Sequence, residues 1–209
     1  MDEYYSRRAK EYENIYYRDD PIRQDEQNQI KSELRRLFVG KSVLEVACGT
    51  GYWTESIAEV ANEITGIDVS REVLEMAKSK NIPAKFIVGD AYHLEKIEGN
   101  FNAGCANFWF SHIEKDKIDQ FLNGFHKRIG NNSSVFMADN VYVEGMGGEL
   151  IRKENSFDTY KERKLSDGTE YEIVKNYYNE NELKMIFQKY TKEIKIIIGK
   201  CFWWLFYKA

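Results

Sequence analysis

Residues 42–54 read SVLEVACGTGYWT, and this stretch decides the fold class. Val43, Leu44, Val46 and Ala47 form a short apolar run, which is typical of a strand buried on both faces. Two glycines follow within three residues, and glycine allows a sharp turn that brings backbone amides close to a ligand. An apolar helical pattern begins directly afterwards. In α/β sheets, a strand, a glycine turn and a helix form a ligand-binding crevice at the carboxyl end of the strand.

One acidic residue, Glu45, lies inside the apolar run. Because a buried carboxylate is costly unless it is paired, we expect Glu45 to accept hydrogen bonds from the glycine loop or to face a bound cation. The segment from Glu45 to Gly51 resembles motif I of the class I S-adenosylmethionine-dependent methyltransferases, which is an acidic residue, three spacers and Gly-x-Gly. The alternative is the nicotinamide or flavin fingerprint G-x-G-x-x-G/A, but its third glycine is replaced here by Thr54.

Strand-like and helix-like segments alternate after this loop. Strands are predicted at 63–67, 85–88, 101–108 and 134–138, with amphipathic helical patterns between them. This alternation predicts a parallel sheet with right-handed crossovers. The family resemblance implies an α/β, Rossmann-like fold with a seven-stranded, mostly parallel sheet, an antiparallel C-terminal hairpin and helices on both faces.

The last third of the chain departs from simple alternation. Residues 141–164 show no clear strand pattern, whereas Asp167-Gly168 is typical of a hairpin turn. A helix is predicted at 183–190, after a capping arrangement at Asn179. Two apolar runs then predict the closing hairpin of the class I fold.

Two further landmarks follow the glycine loop in the order that the resemblance implies. Asp68 ends the second predicted strand about twenty residues after the glycines, where an acid accepts hydrogen bonds from ribose hydroxyls in dinucleotide folds. Asp90 follows the third strand and resembles the adenine-contacting residue of the family. Either acid could instead cap a helix or a turn. The resemblance implies that S-adenosylmethionine, with S-adenosylhomocysteine as its product, is bound by Glu45, Ala47, Gly49, Gly51, Trp53, Asp68, Val69, Asp90, Ala91 and Asn107.

The segment NFWFSH, residues 107–112, follows the fourth predicted strand, where family members line the methyl-transfer site. It lacks the Asn/Asp-Pro-Pro-aromatic motif of methyltransferases that act on base amines or glutamine amides, which counts against those classes. Trp109 is a candidate substrate contact. His112 is the candidate catalytic base, because an imidazole can accept a proton at neutral pH. In the alternative, His112 only bonds to backbone near the start of the next helix.

The N-terminal segment, residues 1–40, is predicted to be a helical lid over the substrate pocket. Tyr5, Tyr12 and Tyr16 share one helical face, and a second helical pattern runs to Phe38. Tyrosine suits a lid because its ring is apolar and its hydroxyl can contact a ligand. In the alternative, this face simply packs on the sheet domain.

The length and composition limit the number of domains and the kinds of partner and site that we expect. The chain has 209 residues, of which 43% are hydrophobic and 31% charged, so we predict one domain, 1–209, whose Rossmann-like core covers 41–209. Its net charge of −4 disfavours binding to a phosphate backbone. The three cysteines are scattered, which predicts neither disulfides nor a zinc site. No stretch approaches the ~20 apolar residues of a membrane span.

The resemblance implies methyl transfer from S-adenosylmethionine to a small-molecule acceptor. In-line displacement relies mainly on positioning, with His112 as the candidate base. We expect a cytoplasmic monomer or homodimer without metal, nucleic acid or membrane partner. Two alternatives stay open: a methyltransferase acting on RNA or protein, and a non-catalytic regulatory module that binds S-adenosylmethionine.

Overall fold

The computed structural model describes residues 13–165 and 167–209. The strands are β1 (Ser42–Val46), β2 (Glu63–Asp68), β3 (Lys85–Val88), β4 (Ala103–Asn107), β5 (Ser134–Asn140), β6 (Ile151–Arg152), β7 (Thr159–Lys164), β8 (Glu170–Val174), β9 (Ile194–Ile198) and β10 (Phe202–Lys208). The main sheet has the order β3-β2-β1-β4-β5-β10-β9. Its first five strands are parallel, and β10 is antiparallel to both of its neighbours. The predicted seven-stranded sheet with an antiparallel C-terminal hairpin is confirmed.

Helices cover both faces of this sheet. The described residues form the α-helices α1 (Pro21–Phe38), α2 (Tyr52–Ala58), α3 (Arg71–Ser79), α4 (Ile118–Ile129) and α5 (Glu180–Phe187). One core cluster joins α1 and α2 to the sheet, with Ile30 and Ile57 fully buried. A second cluster joins α4 and α5 to it, with Phe125 and Phe187 fully buried. Each helix thus buries one apolar stripe, as the amphipathic patterns predict.

Helix α1 begins directly after a side-chain cap. The Asp20 carboxylate accepts hydrogen bonds from the backbone amides of Ile22 and Arg23, each at 3.1 Å, and Pro21 occupies the first helical position. At its other end, α1 buries Leu34 and Phe38 completely. Because α1 belongs to the core, the lid prediction for residues 1–40 applies only to residues before Pro21.

A buried carboxylate on α1 fixes the turn between β9 and β10. Glu26 accepts hydrogen bonds from three consecutive backbone amides, those of Lys200 at 2.6 Å, Cys201 at 3.0 Å and Phe202 at 2.9 Å. Such charge-assisted bonds offset the cost of burying the carboxylate. The side chain therefore joins two elements from distant parts of the chain.

A second, three-stranded antiparallel sheet with the order β6-β7-β8 follows β5. The sequence interpretation was wrong here, since both β6 and β7 lie entirely within residues 141–164, where no clear strand was predicted. The reason is that the more buried side chains of β7 are Thr159, Lys161 and Arg163, so no apolar alternation marks the strand. The predicted Asp167-Gly168 turn joins β7 to β8.

Helix α5 begins and ends three residues earlier than predicted. The predicted capping arrangement is present: the Asn179 side chain accepts from the Glu182 backbone amide at 3.0 Å, and the Glu182 carboxylate accepts from that of Asn179 at 2.8 Å. Within residues 13–165 and 167–209, no helix has the length and apolar character needed to cross a bilayer. The same residues contain no group of three or more His, Cys, Asp or Glu arranged to hold a metal ion.

Candidate active site

The carboxyl ends of β1 to β4 meet at a topological switch point. The strands β2 and β3 lie on one side of β1, and β4 lies on the other. Ligands of open α/β sheets bind in the crevice at such a point. Val46 pairs with Ile67 on one side and Ala106 on the other, so Ala47, Asp68 and Asn107 are one position beyond these pairs. The structure therefore brings three predicted cofactor residues to one edge of the sheet.

The glycine loop is tied to β2 by backbone hydrogen bonds. The Gly49 amide donates to Asp68 Oδ2 at 3.0 Å, and the Ser70 amide donates to Asp68 Oδ1 at 3.0 Å. The Cys48 amide donates to the Ile67 carbonyl oxygen at 2.9 Å. A carboxylate offers about four acceptor sites, so these two bonds to Asp68 are compatible with further bonds to ribose hydroxyls.

Gly51 is required by the backbone geometry at the start of α2. Its φ is +80°, in the left-handed region, and a Cβ atom there would lie 2.8 Å from Ile82 Cδ1. A side chain at this position would therefore both strain the turn and collide with the neighbouring segment.

Glu45 is buried in β1, and its hydrogen-bond donor differs from the one expected. Thr54 Oγ1, in α2, donates to Glu45 Oε2 at 2.6 Å. The expectation that the glycine loop donates to Glu45 is therefore corrected. Among the described residues, the donor is the hydroxyl of Thr54 in α2. Thr54 occupies the position where a dinucleotide fingerprint would have its third glycine. Burial raises the pKa of the Glu45 carboxyl to about 7, and the Thr54 bond lowers it in part.

The turn after β3 presents Asp90 at the surface beside the same crevice edge. Its Oδ1 atom accepts a hydrogen bond from the Tyr92 amide at 2.8 Å, so the carboxylate also stabilises its own turn. Ala91 is buried, whereas the side chain of Val69, after β2, is 42% exposed.

Asn107 has a buried side chain without hydrogen-bond partners. It ends β4 and is 5% exposed, and neither Oδ1 nor Nδ2 bonds to another atom of the structure. Buried amides are almost always satisfied, so an unpaired one at a crevice indicates a place for ligand atoms. Phe108 follows it with a φ of +59°, which turns the chain away from β4.

Two residues predicted as ligand contacts, Trp53 and Trp109, pack against other aromatic side chains. Trp53 is buried and stacks on Phe108 with ring centroids 5.3 Å apart, so it packs beneath the loop. Trp109 makes edge contacts with Tyr92 at 6.2 Å and Phe121 at 6.5 Å. It is not among the described residues that line the cavity discussed below.

The described part of the N-terminal segment lies against the glycine loop. Thr50 Oγ1 donates to Glu13 Oε1 at 2.6 Å, and the Lys80 ammonium forms an ion pair with the same carboxylate. Tyr16 is buried and stacks on Tyr52 with ring centroids 3.9 Å apart. The other two predicted lid residues, Tyr5 and Tyr12, lie outside the described residues.

A cavity of about 190 Å³ adjoins this crevice beyond β4 and β5. Phe108 and His112 line it from the segment after β4, and Asn140 lies at the end of β5. Arg163 on β7 and Lys175 directly after β8 also line it. Tyr16 also lines the cavity, so one predicted lid residue reaches it. The arrangement places a candidate acceptor pocket next to the end of β4.

His112 is buried in the wall of this cavity. Its Nδ1 atom lies 2.8 Å from the carbonyl oxygen of Val174, which fixes the ring against the small sheet. Burial and the nearby Lys175 ammonium hold the pKa of the imidazole well below its ordinary value. The ring is therefore neutral at pH 7 and weakly basic. The partner is backbone, as the alternative interpretation expects, but it belongs to β8 and not to the next helix.

A buried ion pair supports this wall. Lys175 Nζ lies 3.2 Å from Asp139 Oδ1 and donates to Ser111 Oγ at 2.6 Å. The Ser111 hydroxyl and amide donate to the two oxygens of Asp139 at 2.9 and 2.8 Å. Burial opposes the charge of Asp139, but Lys175 keeps the pKa of its carboxyl below the ordinary value. The pair joins β5 to the small sheet.

Sequence reasoning missed Arg23, Arg163, Lys175 and Asp139. A signal existed for two of them. Lys161 and Arg163 alternate on β7, and Ile173 and Lys175 alternate on and after β8, as side chains of one sheet face do.

Known proteins resemble this chain in the segment that contains the glycine loop and β1 to β4. The model of a methyltransferase domain family matches residues 43–131. A demethylmenaquinone methyltransferase from Renibacterium salmoninarum is 31% identical over 58% of this chain and 44% of that protein. A malonyl-acyl-carrier protein O-methyltransferase from Hamiltonella defensa is 24% identical over 77% of this chain and 57% of that protein. The chain thus spans about half the length of these curated relatives.

Solved structures resemble the whole chain. The "DhpI-SAM-HEP complex" superposes with a TM-score of 0.80 at 21% identity, covering 98% of this chain and 94% of that one. An S-adenosylmethionine-dependent methyltransferase from Clostridium acetobutylicum superposes with a TM-score of 0.66 at 15% identity, covering 98% of both chains. At these identities the likeness shows the fold.

Proposed function

We propose that this chain is a class I S-adenosylmethionine-dependent methyltransferase, which binds S-adenosylmethionine at the carboxyl ends of β1 to β4 and methylates a small molecule in the adjoining cavity. The observation that carries the proposal is the unpaired, buried amide of Asn107 beside the glycine loop. A ligand with polar groups at this edge would satisfy it.

Each predicted contact has a proposed role in holding the cofactor. Asp68 accepts from the ribose hydroxyls, and its two backbone bonds aim the carboxylate. Asp90 accepts from the adenine amine, with Val69 and Ala91 against the ring. At Ala47, Gly49 and Gly51, the small or absent side chains allow the backbone of the loop to approach the cofactor. Glu45 and Trp53 support the loop from below, since both are buried.

The proposed chemistry rests on positioning. When bound, S-adenosylmethionine supplies a methyl group that its sulfonium already makes electrophilic. The protein must orient the acceptor and exclude water, which can supply ~7–11 kcal/mol in ideal cases. His112 stays a candidate for accepting a proton from the acceptor, although its lowered pKa makes it a weak base and favours acceptors that need none.

A covering role is proposed for the N-terminal segment. Glu13 bonds to the glycine loop, and Tyr16 lines the acceptor cavity, so this segment contacts both proposed binding regions. Trp109, whose ring contacts that of Tyr92, is still proposed as a substrate contact.

The names of two similar proteins support a small-molecule methyl acceptor. A demethylmenaquinone methyltransferase and a malonyl-acyl-carrier protein O-methyltransferase are named for small or carrier-bound acceptors. We propose the same general class here, without nucleic acid. A cytoplasmic location and a monomeric or homodimeric state stay predictions.

Ligand-dependent melting tests the proposal. S-adenosylhomocysteine at a hundredfold excess over its dissociation constant should stabilise the protein by about 2.7 kcal/mol, whereas NAD should give no shift. Labelled S-adenosylmethionine and a metabolite extract should then yield a labelled small product. Stabilisation without any labelled product would favour the regulatory module, and a shift with NAD alone would reject the assignment.

A further inference from the structure

The acceptor cavity has a charge opposite to that of the chain. Its described lining residues include Arg18, Arg23, Arg163 and Lys175 but no Asp or Glu. The whole chain has a net charge of −4. Cations are thus concentrated at one site of an acidic protein, and a cleft lined by one sign of charge attracts ligands of the other.

Arg23 reaches the cavity from the first turn of α1. Its guanidinium carbon lies 4.7 Å from the centroid of the Phe202 ring, a cation–π contact that holds the group beside this ring. Its Nε atom is buried and has no hydrogen-bond partner. A buried donor without a partner is unfavourable, so a ligand acceptor at this place would stabilise the group.

Arg163 reaches the cavity from the small sheet and is held by the loop after β5. Its Nη1 atom donates to the carbonyl oxygen of Gly147. A Cβ atom on Gly147 would lie 3.3 Å from Nη1 and 3.5 Å from Nη2, so glycine permits this close approach. One of the five guanidinium donors is used in this way, and the planar group remains suited to bidentate binding of an oxyanion.

Neither arginine is neutralised by the protein. Among the described residues, neither Arg23 nor Arg163 forms an ion pair with a carboxylate, whereas Lys175 pairs with Asp139. Burial, followed by the charges of Arg163 and Lys175, lowers the pKa of the neighbouring Lys161. Burial is the larger cause of the lowered pKa, and repulsion between like charges around the cavity, which an anion would reduce, is the smaller one.

We propose that the methyl acceptor is a small organic anion whose carboxylate or phosphoryl oxygens bind Arg23 and Arg163. The inference rests on the proposed function, because it names the substrate class of the same site. The two arginines come from α1 and β7, which are distant in the chain, and both line the same cavity. Charge and planar geometry together select an oxyanion over a neutral ligand, since charge-assisted, bidentate bonds are stronger than neutral ones.

Calorimetric titration in the presence of S-adenosylhomocysteine tests the inference. The probes are benzoate, phenyl phosphate and the neutral amide benzamide. We expect binding of at least one anion and none of benzamide, and the stronger anion identifies the oxyanion source. Arg163→Gln and Arg23→Gln should each weaken that anion by roughly tenfold to a hundredfold. Arg152→Gln, an exposed arginine of the same small sheet, is the control and should bind as the wild type does.

The outcomes separate the two proposals. A wild-type protein that does not bind S-adenosylhomocysteine refutes the proposed function itself. Normal binding of that compound together with equal affinity for benzoate, phenyl phosphate and benzamide, or with no anion binding, overturns only the anionic acceptor. Unchanged anion affinity in both folded variants does the same. If Arg163→Gln does not fold, Arg163→Lys keeps the charge without the planar fork and should still weaken the anion.

Discussion

Replacing Glu45 with glutamine should change how stability depends on pH. The carboxyl has a pKa of about 7 in the folded chain against an ordinary value of 4.5. At 1.36 kcal/mol per pKa unit, the difference corresponds to about 3 kcal/mol. Between these two values the unfolded chain releases the proton while the folded chain retains it. This contribution to the free energy of unfolding is therefore fully present below about pH 4.5 and is lost as pH rises through about 7.

Urea denaturation of the ligand-free wild type and Glu45→Gln, at intervals from about pH 4 to pH 8, measures the effect. The free energy of unfolding of the variant, relative to the wild type, should rise by about 3 kcal/mol over this interval. Two further variants sharpen the test. Thr54→Val removes the hydroxyl that lowers the pKa, so it should extend the loss to higher pH. Glu63→Gln neutralises an exposed carboxylate on the adjacent strand and is the matched control.

A constant difference between Glu45→Gln and the wild type from pH 4 to pH 8 would refute this reasoning. It would mean that the Glu45 carboxyl ionises as freely in the folded chain as in the unfolded one. Burial in β1 would then not dominate its ionisation.

Three other predictions concern the site itself. Asp68→Ala should weaken S-adenosylhomocysteine binding by about 1.5–3 kcal/mol, measured by calorimetry with Asp116→Ala as the exposed control; equal affinities would place the ribose elsewhere. S-adenosylhomocysteine should slow amide exchange in residues 2–17, and Glu13→Ala should reduce that protection, whereas identical exchange with and without ligand would leave the segment as simple packing. His112→Ala should lower turnover by roughly 10²–10⁴ if the imidazole is a base. Since the base must be neutral and its pKa is lowered, wild-type turnover should stay constant as pH falls through the ordinary histidine range; full turnover in the variant would assign His112 a structural role.

The sheet, and the meeting of the proposed cofactor residues at one edge of it, could be predicted because their signals are local. The glycine turn needs Gly51 at a left-handed φ, and no other residue type meets that need as readily. Asp68 and Asn107 each end a parallel strand, and parallel strands bring their carboxyl ends to one edge. The positions of these two residues at the ends of predicted parallel strands were therefore enough to predict that their side chains lie at the same edge.

The acceptor side could not be predicted in the same way. The inward side chains of β7 include Lys161 and Arg163, so a periodicity that searches for apolar residues does not detect the strand. The donor to Glu45 was misassigned for a related reason. In the sequence, Thr54 is simply one residue of a predicted helix. Its hydroxyl reaches the Glu45 carboxylate only because α2 packs on β1.

The position of β10 has a consequence for the order in which the two binding regions form. β10 follows β9 in the chain but lies between β9 and β5, so the edge of β5 stays open until this hairpin folds onto it. An open edge can pair with another chain, and pairing of distant segments is slow. The Glu26 carboxylate on α1 accepts hydrogen bonds from the backbone amides of residues 200–202, so these bonds form only when the hairpin is in place. The glycine loop depends on earlier strands, whereas Phe202 is a wall of the acceptor cavity. We therefore expect that, during folding, the edge proposed to bind the cofactor forms before the cavity proposed to bind the methyl acceptor.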